Sequence, residues 1–244
     1  MLKSNERLEP LGNDIKIIVS DEHHFSTDTI LLADFSKPKK NDKSIELGSG
    51  CGTIPLLWAR DGLSCEITAV EIQENACDMI KRSVSLNDLT QKISVICSDL
   101  KELKGKVSFG SYNLVVCNPP YKLAGTGIVN EQTEKLLARH ETACTLDDIT
   151  LAASKLLQFG GRFCMCQRPE RLTDVLLSMR KNRLEPKRLR FVQQRPEKAP
   201  KLFLAEGRKD GNAGYMEVMN TLFIEDESGG FSEEMRKIYG IYKG

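Results

Sequence analysis

An α/β fold, a mostly parallel sheet with helices on both faces, is predicted by three observations. Short apolar, β-rich runs alternate with amphipathic helical segments between residues 44 and 193. The first of these runs ends in a glycine cluster, Gly48-Ser49-Gly50-Cys51-Gly52, that opens a helix. The fourth, Tyr112-Asn113-Leu114-Val115-Val116-Cys117, stops at Asn118-Pro119-Pro120-Tyr121, because two prolines lack the N–H that a central ladder needs.

Taken in order, residues 15–19 read as a strand and 27–35 as a short helix with Ser26 or Thr27 as its cap, together a small N-terminal lid. A polar loop, 37–43, leads to strand 44–47, the glycine turn and a helix over 53–60. Strand 65–71, helix 74–86 and strand 93–97, ending at Ser98-Asp99, come next, followed by the strand at 112–117. The stretch 122–142 is irregular and rich in polar residues and glycine, and a loop of that length in a compact domain is usually functional or disordered. Helical spacing runs from Leu146 to Leu157, with Gly160-Gly161 as its stop. Strand 162–167, helix 170–181 and strands 188–193 and 202–206 complete a seven-stranded sheet, and 216–224 is expected to pair late in it. Residues 225–230 are acidic and mobile-looking. The chain is therefore divided into a cap (1–42), an α/β core (43–224) and a tail (225–244) of a single domain.

Composition narrows the classes. At 244 residues and 40% apolar content the chain has material for a sizeable core. Its 35 Lys plus Arg against 34 Asp plus Glu leave no net field, so any binding of nucleic acid must come from local clustering. No apolar run approaches the ~18 residues of a membrane span, which predicts a soluble cytoplasmic protein. The eight cysteines mostly sit singly inside apolar segments, without a Cys-x-x-Cys pair, and read as buried free thiols. His23-His24 has no third ligand nearby, so no metal is assigned.

The glycine cluster follows a strand and opens a helix, where backbone can approach a ligand and free N–H groups attract anions. Its spacing, G-x-G-x-G, differs from the G-x-G-x-x-G of nicotinamide sites, and it lacks the Lys-Ser/Thr ending of a P-loop. Glu71, ending the second strand, is placed to accept hydrogen bonds from a ribose diol, and Asp99, after the third, to accept from an adenine amino group. Together they describe an adenosine pocket at the switch point of the sheet. Each has a structural alternative: Glu71 as a helix-start carboxylate, Asp99 as a cap. After the fourth strand, the carbonyls of Asn118 and Pro119 are held away from helical pairing and can be aimed at a ligand, with the flat face of Tyr121 beside them. The alternative there is a plain strand-ending turn.

Glu46 to Gly52, Glu71, Asp99 and Asn118 to Tyr121 resemble the motifs of class I S-adenosylmethionine-dependent methyltransferases that act on amino groups, over most of residues 27–170. Residues 26–32, Arg139-His140-Glu141 and 185–192 extend the likeness to the bacterial tRNA1(Val) adenine N6-methyltransferase family. A departure is Cys51, where small or branched residues also occur. The resemblance implies a Rossmann-like class I methyltransferase fold with S-adenosylmethionine as cofactor and tRNA as partner, and neither membrane nor metal. It implies a cofactor set of Thr27, Glu46, Gly48, Ser49, Gly50, Cys51, Gly52, Glu71, Ile72, Asp99, Leu100 and Asn118. It also implies catalysis by Asn118, Pro119, Pro120 and Tyr121, and substrate binding by Tyr121, Arg139, His140, Lys187, Arg188 and Arg190. The last three belong to a basic run from Arg180 to Lys201 that is expected to form a positive face, the alternative being solvated surface. Monomer and weak homodimer both remain open.

The implied chemistry agrees with the residues. An adenine exocyclic nitrogen is a poor nucleophile because its lone pair is delocalised into the ring; two carbonyl acceptors on its N–H bonds would favour a tetrahedral nitrogen, and positioning would do the rest. Tyr121 would stack on a base flipped out of its helix or loop. A protein glutamine N5-methyltransferase acting on release factors is the alternative, since an amide nitrogen poses the same problem and that family shares Asn-Pro-Pro-Tyr. Those enzymes have a helical N-terminal domain, whereas fewer than fifty residues precede Gly48 here. A non-catalytic RNA-binding module of the same fold is the third reading.

Overall fold

The computed structural model describes residues 2–119 and 144–240. The chain opens with a hairpin of β1 (Glu6–Gly12) and β2 (Ile15–Ser20). Asn13 and Asp14 link the two strands with φ of 48° and 62°, the paired left-handed conformation of a tight two-residue hairpin turn. There follow α1 (Thr27–Ser36), β3 (Asp42–Leu47), α2 (Thr53–Arg60), β4 (Ser64–Glu71), α3 (Glu74–Leu86), β5 (Ile93–Cys97) and β6 (Tyr112–Cys117). Beyond residue 143 come α4 (Leu146–Leu156), β7 (Leu157–Gln167), α5 (Leu172–Lys181), β8 (Leu184–Gln193), β9 (Leu202–Lys209), the two-residue strands β10 (Glu217–Val218) and β11 (Leu222–Phe223), and α6 (Glu233–Gly240).

The main sheet has the order β10-β8-β9-β7-β6-β3-β4-β5, with β11 also on β8. Strands β5, β4, β3, β6 and β7 run parallel; β9 is antiparallel to both β7 and β8. Against seven strands expected, nine are present in this sheet among the described residues, the surplus being the two short strands laid parallel on β8. The chain leaves β3 toward β4 on one side and returns with β6 on the other, so β3 and β6 flank the switch point, and all five parallel strands end on one edge.

Each central strand is buried on both faces, which is why β6 reads as an apolar run without polar alternation. Leu114 and Val116 enter one core with Ile30, Leu31 and Leu32 of α1, Ile54 and Trp58 of α2 and Ile80 of α3. Val115 and Cys117 enter the other with Ile149 and Ala153 of α4 and Val175 and Met179 of α5. Two packed layers of helix on a twisted parallel sheet result, and they hold the strand ends rigidly.

Several expectations are corrected. Helix α1, expected in a lid, is a core helix with Leu32 fully buried. Strand β1 lies in the polar N-terminal stretch and is held by its hairpin and by Arg82 of α3, which donates to both Glu6 carboxylate oxygens at 2.8 and 2.6 Å. The outer edge of β2 is met by side chains of α3 and its C-cap: Ile18 N–H donates to Ser83 Oγ (2.9 Å) and Lys16 N–H to Asn87 Oδ1 (2.9 Å). Helix α4 starts on a capping box of Thr145 and Asp148 but stops at Leu156, before the glycines. Gly160 and Gly161 lie within β7, where the register against β6 jumps between Tyr112↔Leu157 and Leu114↔Arg162. Gly160 has φ of 72°, and a Cβ on Gly161 would come within 3.0 Å of the Tyr112 carbonyl oxygen, so the glycines permit a bulge and do not end a helix. After the acidic stretch, α6 buries Met235 and Tyr239 in the first core.

Candidate active site at the parallel strand ends

The glycine loop hangs from the neighbouring strand. The N–H groups of Gly48 and Ser49 both donate to the Val70 carbonyl of β4 (2.9 and 3.0 Å), and Gly52 N–H closes the turn on Ser49 O at 2.8 Å. Gly48 and Gly50 have φ of 73° and 54° with open space where a Cβ would stand, so the loop presents bare backbone. Gly52 is required for another reason. A Cβ there would meet Ile80 of α3 at 3.0 Å, so this glycine serves helix packing.

Two buried carboxylates lie beneath this loop in different states. Glu71 is saturated by backbone: Oε2 accepts from Gly50 N–H (2.8 Å), and Oε1 from Ile72 N–H (2.9 Å) and Gln73 N–H (3.0 Å). A carboxylate has about four acceptor positions, so one is left for a ligand hydroxyl. Glu46 is 2% exposed and its Oε2 has no hydrogen-bond partner among the described residues. Burial, with the charge of Glu71 adding to it, pushes the Glu46 carboxyl well above its usual range, and the Ser49 hydroxyl draws it back only in part. Cys51 is neutral lining: burial raises its thiol to about 11 despite a 3.2 Å contact with Thr53 Oγ1.

At the next strand ends, Ile72 is half exposed, an apolar surface beside Glu71. Asp99 caps the short 3-10 turn Leu100–Glu102 through Lys101 N–H (2.8 Å), so the cap is realised, while its carboxylate stays partly exposed and pairs with Lys101 at 3.4 Å. Leu100 is half buried against the second core. Thr27, at the start of α1, pairs with Tyr239 of α6, Oγ1 to hydroxyl at 3.2 Å.

Asn118 emerges from β6 next to the loop. Its Nδ2 donates to Thr29 Oγ1 of α1 (3.1 Å), and its Oδ1 accepts from Cys166 Sγ of β7 (3.0 Å). Neither partner was among the residues singled out from sequence. Cys166 read as one more buried thiol; the pairing Cys117↔Met165, which puts the next residue of β7 beside Asn118, was the signal that finds it. Pro119 is buried and follows directly. Pro120, Tyr121, Arg139 and His140 lie outside the described residues.

The basic run does not form a free positive face. Arg188 pairs with buried Glu206 (2.9 Å) and lies 4.5 Å from the Phe35 ring centroid; Arg190 makes a bidentate pair with Glu234 of α6 (2.7 and 2.8 Å). Lys187 donates to the carbonyls of Asn212 (2.7 Å) and Gly214 (3.2 Å), Arg180 pairs with Glu185, Arg183 with Asp210 and Arg195 with Glu225. The run is also split by topology. Because β8 and β9 are antiparallel, with Val192↔Leu202, and Gln167 pairs with Phe203, the loop from 194 to 201 lies on the same sheet edge as Asn118 and Gly48, whereas 180–187 lies at the opposite edge. On the near edge Lys198 and Lys201 are exposed.

Bare backbone at Gly48 and Gly50, an orphaned buried carboxyl at Glu46, a spare acceptor on Glu71 and apolar surface at Ile72 fit a ligand with hydroxyl and amino donors and a flat ring, as in an adenosine-containing cofactor. Among the described residues no cluster of three His, Cys, Asp or Glu side chains could hold a metal ion, and no helix is long and apolar enough to cross a membrane.

Comparison with known proteins agrees with this geometry. The chain is 27% identical over 193 residues to the tRNA1(Val) (adenine(37)-N6)-methyltransferase of Porphyromonas gingivalis, covering 78% of this chain and 75% of that one. It is 27% identical over 215 residues to the protein of the same name from Pectobacterium carotovorum, covering 87% and 84%. Among solved structures, a predicted O-methyltransferase from Agrobacterium tumefaciens superposes with a TM-score of 0.71 at 18% identity, covering 88% of this chain and 97% of that one. The TYW2 protein of M. jannaschii, solved with AdoMet, superposes with a TM-score of 0.57 at 13% identity, covering 86% and 89%. These likenesses carry the Rossmann-like fold. Residues 18–176, well over half of the chain, match the model of the methyltransferase small domain. By that match the chain belongs to the methyltransferase small domain family.

Proposed function

We propose that this protein transfers a methyl group from S-adenosylmethionine to the exocyclic N6 of an adenine in tRNA, at position 37 beside the anticodon of tRNA1(Val). The observation that carries the reading is Asn118-Pro119 leaving β6 beside an open glycine loop, in a chain whose relatives bear that name over most of their length. The cofactor, when bound, supplies a methyl on a sulfonium, a leaving group good enough that no strong base is needed before attack.

The remaining work falls to the chain. Glu46, Gly48, Ser49, Gly50 and Glu71 hold the cofactor, with Ile72, Asp99 and Leu100 at its ring and Thr27 at the start of α1. A donor reaching Glu46 Oε2 would meet a buried acceptor that has no partner among the described residues, which favours binding. The Asn118 Oδ1 and Pro119 carbonyls accept the two N–H bonds of the target amine, which draws its lone pair out of conjugation and aims it. These dipoles are fixed before reaction by β6 and the proline, so little reorganisation is needed as charge develops. Stacking of the base on Tyr121, and contacts from Arg139 and His140, belong to the same reading. The exposed Lys198 and Lys201, on the sheet edge of the site, meet tRNA phosphate more readily than Lys187, Arg188 and Arg190, which already have partners within the chain.

Incubation with labelled S-adenosylmethionine and unmodified total tRNA, followed by nucleoside analysis, is expected to give N6-methyladenosine at position 37 of tRNA1(Val). Label in no tRNA, or label in release factor instead, would overturn the reading.

A further inference from the structure

We propose that Cys77 and Cys97 are a redox-active pair that closes to a reversible disulfide behind Glu71 and thereby weakens cofactor binding. The pair follows from the packing of β5 on α3; only its effect on the cofactor rests on the methyl-transfer reading above.

Two elements bring the thiols together. Strand β5 pairs with β4 through Glu71↔Cys97, so Cys97 stands beside the end of the strand that carries Glu71. Side chains alternate along a strand, and Ile93 and Val95 pack in the first core with Met79 and Ile80 of α3, so Cys97 projects from the same face toward the start of that helix. Cys77 lies there, 2% exposed, and its Sγ donates to the Glu71 carbonyl at 3.3 Å. The Cys97 Sγ lies 4.0 Å from the carbonyl of the next residue, Ile72. Of the described cysteines Cys97 alone is exposed, so it is the one that a small oxidant in solution reaches. Burial first, and then contact with the Cys97 sulfur, push the Cys77 thiol up to about 12, so Cys77 keeps its proton while Cys97 reacts.

The oxidant is a hydroperoxide, here hydrogen peroxide. The Cys97 sulfur attacks one peroxide oxygen, the O–O bond breaks, the thiol proton leaves with the departing oxygen as water, and Cys97 becomes a sulfenic acid. The Cys77 sulfur then attacks the Cys97 sulfur; the S–S bond forms as the S–O bond breaks, and the Cys77 proton leaves with the hydroxyl as a second water. Peroxide gains the two electrons that the two thiols lose. Glu71 feels the closure, because its carboxylate is held by the N–H groups of Ile72 and Gln73, in the turn whose carbonyls the two thiols face. Closure removes the S–H donor from the Glu71 carbonyl and draws α3 and β5 together across that turn, which displaces the carboxylate from a cofactor hydroxyl.

Treatment of the full chain with a small excess of hydrogen peroxide, then alkylation and peptide mass mapping, is expected to find Cys77 and Cys97 in one disulfide that dithiothreitol reverses. Cys97 recovered as sulfenic or sulfinic acid without a link to Cys77, or both recovered as free thiols, overturns the pair. In Cys77→Ser the reaction is expected to stop at a Cys97 sulfenic acid that dimedone traps; no trapped Cys97 overturns the order of steps. After removal of peroxide, calorimetry is expected to show S-adenosylmethionine binding oxidised wild type about tenfold more weakly than reduced, the loss typical of one hydrogen bond to a charged acceptor. The same treatment should leave the affinity of Cys97→Ser unchanged. Equal affinity in the two states of wild type, or an equal loss in Cys97→Ser, overturns the switch. A disulfide that forms in a chain whose reduced state binds no S-adenosylmethionine supports the thiol pair and overturns the methyl-transfer reading, on which the effect rests.

Discussion

The edge around Gly48 and the strand β8 treat charge in opposite ways. At the glycine loop a buried carboxyl, Glu46, has one oxygen without a partner among the described residues, and Gly48 and Gly50 border open space. Along β8 and just past its end, Arg188 is matched by Glu206, Arg190 by Glu234 and Arg195 by Glu225. Both regions are rich in ionisable residues, yet among the described residues only the first has a buried side-chain polar atom without a partner. A binding site is recognised by what its groups still lack, since buried polar groups elsewhere in a native protein are satisfied. Charge type alone does not separate the two cases.

The sharpest way to break this contrast is at the strand end that faces the loop. Asn118→Ala removes the acceptor for the target amine and should lower methyl transfer about 10²- to 10³-fold, the loss typical of one preorganised polar group at a reacting centre. Cofactor affinity, measured by calorimetry, should change far less. Near-normal turnover would mean that the Asn118 carbonyl is not the acceptor and that the chemistry lies elsewhere.

Glu46→Gln should produce two opposed effects. Cofactor affinity should fall about tenfold or more, because a hydrogen bond to a charged acceptor contributes roughly 1.5–3 kcal/mol. Stability without cofactor should rise, with a definite pH dependence. The folded-state carboxyl is held above its ordinary value by burial, so the folded chain binds the proton more tightly than the unfolded one. Its contribution to stability is therefore largest in acid and falls as pH rises from the usual carboxylate range toward the folded value. Glutamine has no such loss, so the gap in Tm between variant and wild type should be small near pH 4 and widen toward neutrality. A gap that narrows with pH would contradict an uncompensated buried carboxyl.

The parts of the fold legible in the sequence were those fixed by local rules. Strand 112–117 had to end before Pro119-Pro120, and Gly48 to Gly52 had to turn, so β6, β3 and α2 were placed by covalent geometry. Strand β1 was not read, although Gly12-Asn13-Asp14 carries the composition of a two-residue hairpin turn, because Glu6 to Pro10 lacks apolar alternation and relies on Arg82 of α3. The end of α4 was misplaced because glycines that relieve a bulge against Tyr112 look, in one dimension, like a helix stop. Glu71, Asp99 and Asn118 were found as strand-end polar residues; Thr29 and Cys166 were missed because their roles exist only through contacts 89 and 48 residues away in sequence. The pairing of the basic run was hidden for the same reason, since Glu206, Glu225 and Glu234, the partners of Arg188, Arg195 and Arg190, all lie downstream of it.

That pairing supplies the smallest and most discriminating test. Arg190→Ala should cost about 1 kcal/mol of stability through its pair with the half-exposed Glu234, seen as a coupling energy in a double-mutant cycle with Glu234→Ala. It should leave the salt dependence of tRNA binding unchanged, because its guanidinium is occupied by that carboxylate and by Asn220 O at 3.0 Å. Lys198→Ala with Lys201→Ala should do the reverse: no measurable loss of Tm, and a shallower slope of log affinity against log salt. Each phosphate contact removed accounts for about 0.7–0.9 of slope, so the double variant should lose between one and two if both lysines touch the backbone. Equal slope changes in the two variants would mean that Arg190 exchanges its internal partner for phosphate when tRNA arrives, and that pairing within β8 is a resting arrangement of the binding surface. An unchanged slope in the double variant would move the phosphate contacts away from the 194–201 loop altogether.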